Sequence, residues 1–462
     1  MTSHPVRSIA AIAVVATLVA TSCGGSEKAD PVPQVSKTTV AAENRPPTTL
    51  TFWSSFGDTD TVAAFKPIID RCQADNPWLT IDYVAKDDLQ AAVSAATESG
   101  DVPDLIQGDF SSGLAALQAG KIVLPLDEFA DRDGLDWSDF TPGAEKLVEF
   151  DGKHWGLPLS VDTAALFYNQ DALDEVGINS PPTTFEELTT AANKLIKRKP
   201  DGTIERIGWV PDVGDGSFVM ASGLLFGGST FSDDGKKVTL TKNDAWKRSF
   251  IWQKAFYDAL QPQDRLTRFF DSLGSYDSSE NFFITGQVPL YLEASYFVTW
   301  PKRFGAGKPE RWGVTPMPGP DGVADAAKFS IIASGNFFMI PTKATDPEAS
   351  WVAAKCMATA SREIADFQIV NGNIPANVDA LDAFEQAEVA VTPAFKTFID
   401  LARSPNAVVP SNGVIVNALT DEVTQLALDF RKGKIEESKL DQALADLESR
   451  LQDDLDTELG GQ

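Results

Sequence analysis

The pattern that most restricts what this chain can become begins at Thr49. Thr49-Leu50-Thr51-Phe52-Trp53 alternates apolar and polar residues with the period of a strand, and an amphipathic run follows to about Asp75. Leu79–Val84 repeats the strand pattern, Leu89–Glu98 the helical one, and Asp104–Gln107 reads as a third strand. Leu114–Ala119 is a short helix stopped by Gly120. Strand and helix alternating at this spacing build βαβ units, so an α/β fold is expected, with a mainly parallel sheet covered by helices on both faces. Such a sheet binds ligands beyond the carboxyl ends of its strands. Pro67 interrupts the first helical run and is expected to kink or restart it, because proline lacks the amide donor and its ring clashes with the preceding turn.

Ahead of this region stands a positive residue, Arg7, then an apolar run from Ile9 to Ala20, then small residues ending in Cys23-Gly24-Gly25. The run is too short to span a bilayer, which takes about 20 residues. It resembles a bacterial lipoprotein signal, which implies removal of residues 1–22 and lipid on Cys23; the plainer alternative is a secretory signal with an incidental cysteine. Either reading takes the chain out of the cytoplasm. No second apolar run approaches spanning length, so lipid at Cys23 is the expected membrane attachment, with two or more acyl chains needed for stable anchoring. Residues 24–48 are rich in Gly, Ser, Pro, Lys and Glu with no hydrophobic period and read as a tether. The following body, over 400 residues, is too large for one core and sufficient for two lobes.

Charge narrows the partners. The chain carries 39 basic and 66 acidic residues, a net charge of −27. Nucleic acid needs a basic surface to neutralise phosphates, so it is not an expected partner. Cys72 and Cys356 each fall on the apolar face of a helical run. An oxidising compartment permits a bridge, but spacing does not decide between a bridge and two buried thiols, and buried thiols are the favoured reading. After Cys23 the only histidine is His154, beside an Asp151-Gly152 hairpin turn, where it reads as a surface residue. A Ser-His-Asp triad or histidine metal centre has little to build on, and no Gly-x-Ser-x-Gly, His-Glu-x-x-His or phosphate-binding loop occurs. No metal or cofactor is expected. Thr184-Phe185-Glu186-Glu187 is a capping box opening a helix to about Arg198, and Leu440, Leu444, Leu447, Leu451 and Leu455 mark an amphipathic C-terminal helix.

Several ordered segments carry a family resemblance. They are Thr51-Phe52-Trp53, Val102-Pro103-Asp104-Leu105-Ile106, Asp151–Pro158, Asp162–Asn169, Pro181–Phe185, Phe283–Val288, Gly335–Pro341 and Glu348–Trp351. Over about 50–450 the chain resembles the carbohydrate-type extracellular solute-binding proteins of ABC importers, relatives of maltose-binding protein. The resemblance implies a two-lobe, periplasmic-binding-protein-like type II fold with a ligand cleft between the lobes and three crossover segments. Crossovers are expected near 159–165, 289–295 and 371–377, giving lobes 49–160 with 293–372 and 161–290 with 375–462. It further implies a permease partner that reads the closed form; the chain is read as a monomer and not as an enzyme.

A sugar presents apolar C–H faces and a rim of hydroxyls, so its binder needs aromatic plates and short polar or acidic side chains. Candidates lie at strand ends and crossovers. Trp53, Ser54 and Asp58 follow the first strand; Gln107 and Asp109 follow the third; Asp162 lies on the first crossover. Trp209 and Asp212 end the strand-like Ile207–Val210. Glu293 and Tyr296 lie at the second crossover, Asn336 and Phe337 start a later strand, and Asn373 on the third crossover leans to a hinge role. Each has a structural alternative: core aromatic for Trp53, helix cap for Asp109, hinge anchor for Asp162, structural hydrogen bonding for Glu293 and Tyr296. Trp155 and Trp300 read as packing residues. The function expected is capture of a sugar or oligosaccharide for an importer. The alternatives are a glycerophosphodiester receptor of the same fold, a glycoside hydrolase with two carboxylates, and an adhesin.

Overall fold

The computed structural model describes residues 36, 44–109, 114–211, 218–232, 234–260, 262–319, 330–387, 393–409 and 413–460. Cys23, the signal and Asp212 lie outside the described residues. The opening alternation is realised as β1 (Thr48–Ser54), α1 (Thr59–Asp75), β2 (Leu79–Ala85), α2 (Leu89–Ser99), β3 (Leu105–Asp109) and α3 (Leu114–Ala119). β1 pairs in parallel with β2 and β3, as the βαβ pattern requires. Asp58 caps α1 by accepting the Thr61 amide, and Asp88 caps α2 by accepting that of Ala91. α1 runs through Pro67 without restarting; its apolar face, Phe65, Ile68, Ile69 and Cys72, is buried on both sides of the proline. Packing of that face holds the helix together where propensity alone breaks it.

The chain then forms α4 (Asp127–Asp133), α5 (Pro142–Val148) and the hairpin β4 (Glu149–Phe150)–β5 (Lys153–His154). Asp151 (φ 52°) and Gly152 (φ 68°) turn the hairpin, both left-handed as a two-residue loop demands. His154 is not a surface residue. Its ring stacks on Trp137 at 3.6 Å between centroids, and its Nδ1 lies 2.8 Å from Asp127 Oδ1.

β6 (Leu157–Pro158) closes the first sheet, whose order is β2, β1, β3, Asn336–Met339, β6. Two residues later β7 (Ser160–Asn169) becomes the spine of the second sheet. Along β7 pair Ile374–Pro375 at its start, Ser330–Ser334 near Asp162–Ala164, Leu290–Ala294 at Ala164–Tyr168, and Trp312–Thr315 at Leu166–Asn169. β7 can serve so many neighbours because its residues from Ser160 to Phe167 are all buried. The return expected at 289–295 is therefore placed too early. Leu290–Ala294 belongs to the second sheet, and the chain passes to the first only at Gly335, between Ser334 and Asn336. A Cβ at Gly335 would lie 2.5 Å from Leu147 and 2.7 Å from the Ser160 carbonyl, so only glycine lets the two passages cross this closely.

Other expectations shift. The capped helix runs Phe185–Lys194 and stops short of Arg198, because Lys197–Arg198 pairs back onto Ile204–Arg206. Ile207–Val210 is not a ladder strand; it makes two backbone bonds to the 287–290 segment. Cys72 and Cys356 form a disulfide with Cα atoms 5.8 Å apart, which corrects the buried-thiol reading. Closing a loop of 284 residues confers about 5–6 kcal/mol in the chain-entropy model. The C-terminal helix, Leu440–Gly460, buries all five expected leucines against Trp246, Phe250, Leu419 and Phe430 in a core separate from the sheets. Among the described residues no helix is long and apolar enough to cross a membrane.

Candidate ligand-binding cleft

The carboxyl ends of β1 and β3, the start of Asn336–Met339 and the start of β7 converge where the two sheets meet. A buried chain of hydrogen bonds crosses this junction. Ser54 Oγ donates to Gln107 Oε1 at 2.6 Å, Gln107 Nε2 to Asn336 Oδ1 at 2.9 Å, and Asn336 Nδ2 to Ser160 Oγ at 3.4 Å. Three candidates, Ser54, Gln107 and Asn336, are thus brought together, but they are bonded to one another and brace the junction.

Asp162 lies on the second-sheet side, 5 % exposed. Its Oδ2 accepts from Ser334 Oγ at 3.0 Å and from Asn373 Nδ2 at 3.4 Å, and its Oδ1 has no partner. Burial, then the negative charge of Asp109, pushes its carboxyl up to about 7; Ser334 opposes the shift and Glu293 adds to it. Thr163 Oγ1, Ser295 Oγ and Gln368 Nε2 are also buried without partners; Thr163, next to Asp162 along β7, lies on the opposite face of the sheet. Gly372–Asn373 links their elements. The Gly372 amide donates to the Gln368 backbone carbonyl, a Cβ on Gly372 would meet Tyr296 Cα at 3.0 Å, and Asn373 reaches Asp162.

Glu293, from Leu290–Ala294, is saturated instead. Oε2 accepts from Tyr276 and, at 2.5 Å, from Tyr291; Oε1 accepts from Tyr296 at 2.9 Å and the Ala294 amide at 2.8 Å. Burial raises its carboxyl, opposed by those hydrogen bonds, and burial also raises the three phenols well above their usual range. Trp300 packs on Tyr276 at 4.6 Å between centroids and on Tyr296 at 6.0 Å, making an aromatic wall that is only partly buried.

The remaining candidates divide. Trp53 is half-buried, but Lys86 Nζ sits 3.9 Å over its ring, so a sugar face can reach that side only if the ammonium moves. Asp58 is committed to capping α1, and the Thr61 hydroxyl and amide lower its carboxyl. Asp109 ends β3 exposed, opposite Asn336 in register. Trp209 and Phe337 are core residues. Trp209 is 3 % exposed among Phe218, Trp252 and Phe256, and Phe337 is fully buried, so neither offers a face to a ligand. Burial of Trp155, whose Nε1 donates to the Phe150 carbonyl, agrees with a packing role.

Sequence reasoning missed Tyr276, Tyr291, Thr163, Ser295, Ser334 and Gln368. Tyr291 could have been found, since it stands two residues from Glu293 on one strand face. Tyr276 lies in a turn far along the chain and carried no signal. An unfilled buried acceptor such as Asp162 Oδ1 matches a hydroxyl-bearing solute or water, since a buried polar atom left unpaired costs free energy. The carboxylates Asp109, Asp162 and Glu293 disfavour an anion at this floor. Among the described residues no group of three His, Cys, Asp or Glu is placed to hold a metal.

Residues 57–362 match the family model of the bacterial extracellular solute-binding proteins, and the chain belongs to that family. Its proteins are described as bacterial extracellular solute-binding proteins, which puts this body outside the cytoplasm. The chain is 26 % identical over 256 residues to the maltotriose-binding protein of Pyrococcus abyssi (strain GE5 / Orsay); the match covers 55 % of this chain and only 50 % of that protein's length. It is 24 % identical over 306 residues to the sn-glycerol-3-phosphate-binding periplasmic protein UgpB of Escherichia coli (strain K12), covering 64 % of this chain and 67 % of that one. The solved structure of the sugar-binding protein MalE from Xanthomonas citri superposes with a TM-score of 0.70 at 20 % identity, over 89 % of this chain and 98 % of that one, and shares the two-lobe fold.

Proposed function

We propose that this protein is an extracytoplasmic receptor for a neutral polyhydroxylated solute, a sugar or oligosaccharide, which it captures by closing two lobes and delivers to an ABC permease. The observation that carries the reading is the unfilled oxygen of the buried Asp162 where the two sheets meet. A solute hydroxyl fills this oxygen, while Tyr296 and Trp300 supply apolar faces and Trp53 and Asp109 the opposite wall. The lobes divide at the sheet changes, 49–159 with 336–373 against 160–334 with 374–460. Ligand bridging both lobes stabilises the closed state by its differential contacts. We read Cys23 as the lipidated first residue of a monomeric mature protein.

The maltotriose-binding relative supports this ligand class. The UgpB likeness supports a phosphate ester instead, but a phosphate needs cations at its site, and the floor here is acidic. Calorimetry and thermal shift of residues 24–462 with mono-, di- and oligosaccharides, polyols and glycerol 3-phosphate separate the two. At a hundredfold excess over Kd a true ligand adds about 2.7 kcal/mol of stability. A saturable shift with a saccharide is expected; a shift with glycerol 3-phosphate alone overturns the ligand class.

A further inference from the structure

The first lobe carries a contact with its own upstream chain that the tether reading of 24–48 did not anticipate. Arg45 lies over the Trp78 ring at 4.7 Å, with its Nη2 4.0 Å from Glu348, and the Thr48 amide bonds the Trp78 carbonyl as β1 begins. Further upstream, both backbone polar groups of Ser36 are bonded. Its amide donates to Glu348 Oε1 at 3.0 Å, and its carbonyl accepts from Arg132 Nη1 at 3.0 Å.

The two gripping side chains come from different elements, 96 and 312 residues away, and are themselves fixed. Arg132, at the end of α4, donates Nη1 to both Glu348 oxygens at 2.8 and 2.7 Å, and its Nε and Nη2 to the carboxylate of Asp133 at 2.8 and 2.9 Å. Asp133 Oδ2 in turn accepts from Trp351 Nε1, and the Asp133 carbonyl accepts from Lys355 Nζ. Glu348 stands in the first turn of Pro347–Ala358, where the helix dipole favours a carboxylate. An arginine with an 8 % exposed side chain, fork-bonded on one edge and aimed at a main-chain carbonyl on the other, is a preorganised receptor for an extended segment.

We propose that Arg132 and Glu348 form a dock for this chain's own N-terminal linker, gripping it at Ser36 so that everything upstream leaves the body from the α4 face of the first lobe. The dock does not depend on what the cleft binds. Its consequence for orientation rests on the lipid-anchor reading: if Cys23 is lipidated, twelve residues, 24–35, separate the anchor from the grip. Fully extended they span about 40 Å at most, against more than 80 Å for residues 24–48. The first lobe, rather than either lobe at random, then stays near the membrane.

The test is trypsin cleavage after Lys37, the residue following Ser36, in the full secreted chain, compared with the same bond in a free peptide of residues 30–44. Cleavage requires the segment to leave the dock, so the intact chain should be cut at least tenfold more slowly than the peptide. Glu348→Ala should bring the two rates together with Tm unchanged. If Glu348→Ala lowers Tm, Ser36→Pro, measured against its own matching peptide, removes the amide donor without touching the body and should have the same effect. Equal rates in the wild-type chain, or protection that survives both substitutions, overturn the proposal. Mass spectrometry of the mature N-terminus reads lipidation separately, so failure of the anchor and failure of the dock are distinguishable.

Discussion

Asp162, buried, and Glu293, half-buried, are carboxylates on neighbouring strands of one sheet, and their surroundings have opposite design. Glu293 receives four donors, three of them tyrosyl hydroxyls, and every one of its bonds is made before any ligand arrives. Asp162 has one oxygen bonded and one bare. A carboxylate whose acceptor sites are filled holds its neighbours in place; one with an acceptor site left open can take a solute hydroxyl. Residue type and strand position look equivalent in the sequence, and only the partners distinguish scaffold from site.

The strongest way to break this contrast is Glu293→Ala. It removes the acceptor from three phenols, of which Tyr276 and Tyr296 can still bond each other at 3.1 Å, and unpaired buried groups cost about 1–3 kcal/mol each, so chemical denaturation should show a loss of about 2–4 kcal/mol. A loss below about 1 kcal/mol would mean the cluster is not structural. The next effect is expected at Asp162 and depends on pH. Its carboxyl is raised from 3.8 to about 7 in the folded protein, so between those values the native state holds a proton that the unfolded state has released. Stability conferred at low pH is therefore lost as pH rises from about 4 to 7, by up to about 4 kcal/mol. Asp162→Asn should flatten that slope and equal or exceed wild type at pH 8; a slope unchanged by the substitution would show that Asp162 is not its source. The smallest effect expected is on binding. Above pH 7, where the carboxyl is ionised, Asp162→Asn should weaken the saccharide identified by the screen by about 1.5–3 kcal/mol, roughly 10- to 150-fold in Kd, through loss of a charged acceptor. An unaltered Kd would remove Asp162 from the site and leave it a hinge anchor.

Much of the fold was legible because it is local. β1 to β3 and the helices between them follow directly from periodicity, the cap at Thr184 from its capping box, and the C-terminal helix from five leucines at helical spacing, whereas Asp58, read as a ligand candidate, caps α1. The second change of sheet was not legible. Leu290–Ala294 and Ser330–Ser334 are both strand-like, and only pairing with β7 shows that the first stays in the second sheet while the second leads out through Gly335. Trp209 and Phe337 were credible plates by position, but their neighbours buried them; Trp53 met Lys86, which nothing in its own segment announced.

The sequence by itself determined the α/β alternation, the acidic surface, the family and most element boundaries, since these depend on residues within one or two turns of each other. Tertiary structure decided which cysteines pair, where the chain changes sheet, which carboxylate is filled and which is open, and that Ser36 meets Glu348. Each of those depends on groups tens to hundreds of residues apart, and their meeting is fixed by how β7 and the two sheets pack, which no local pattern encodes.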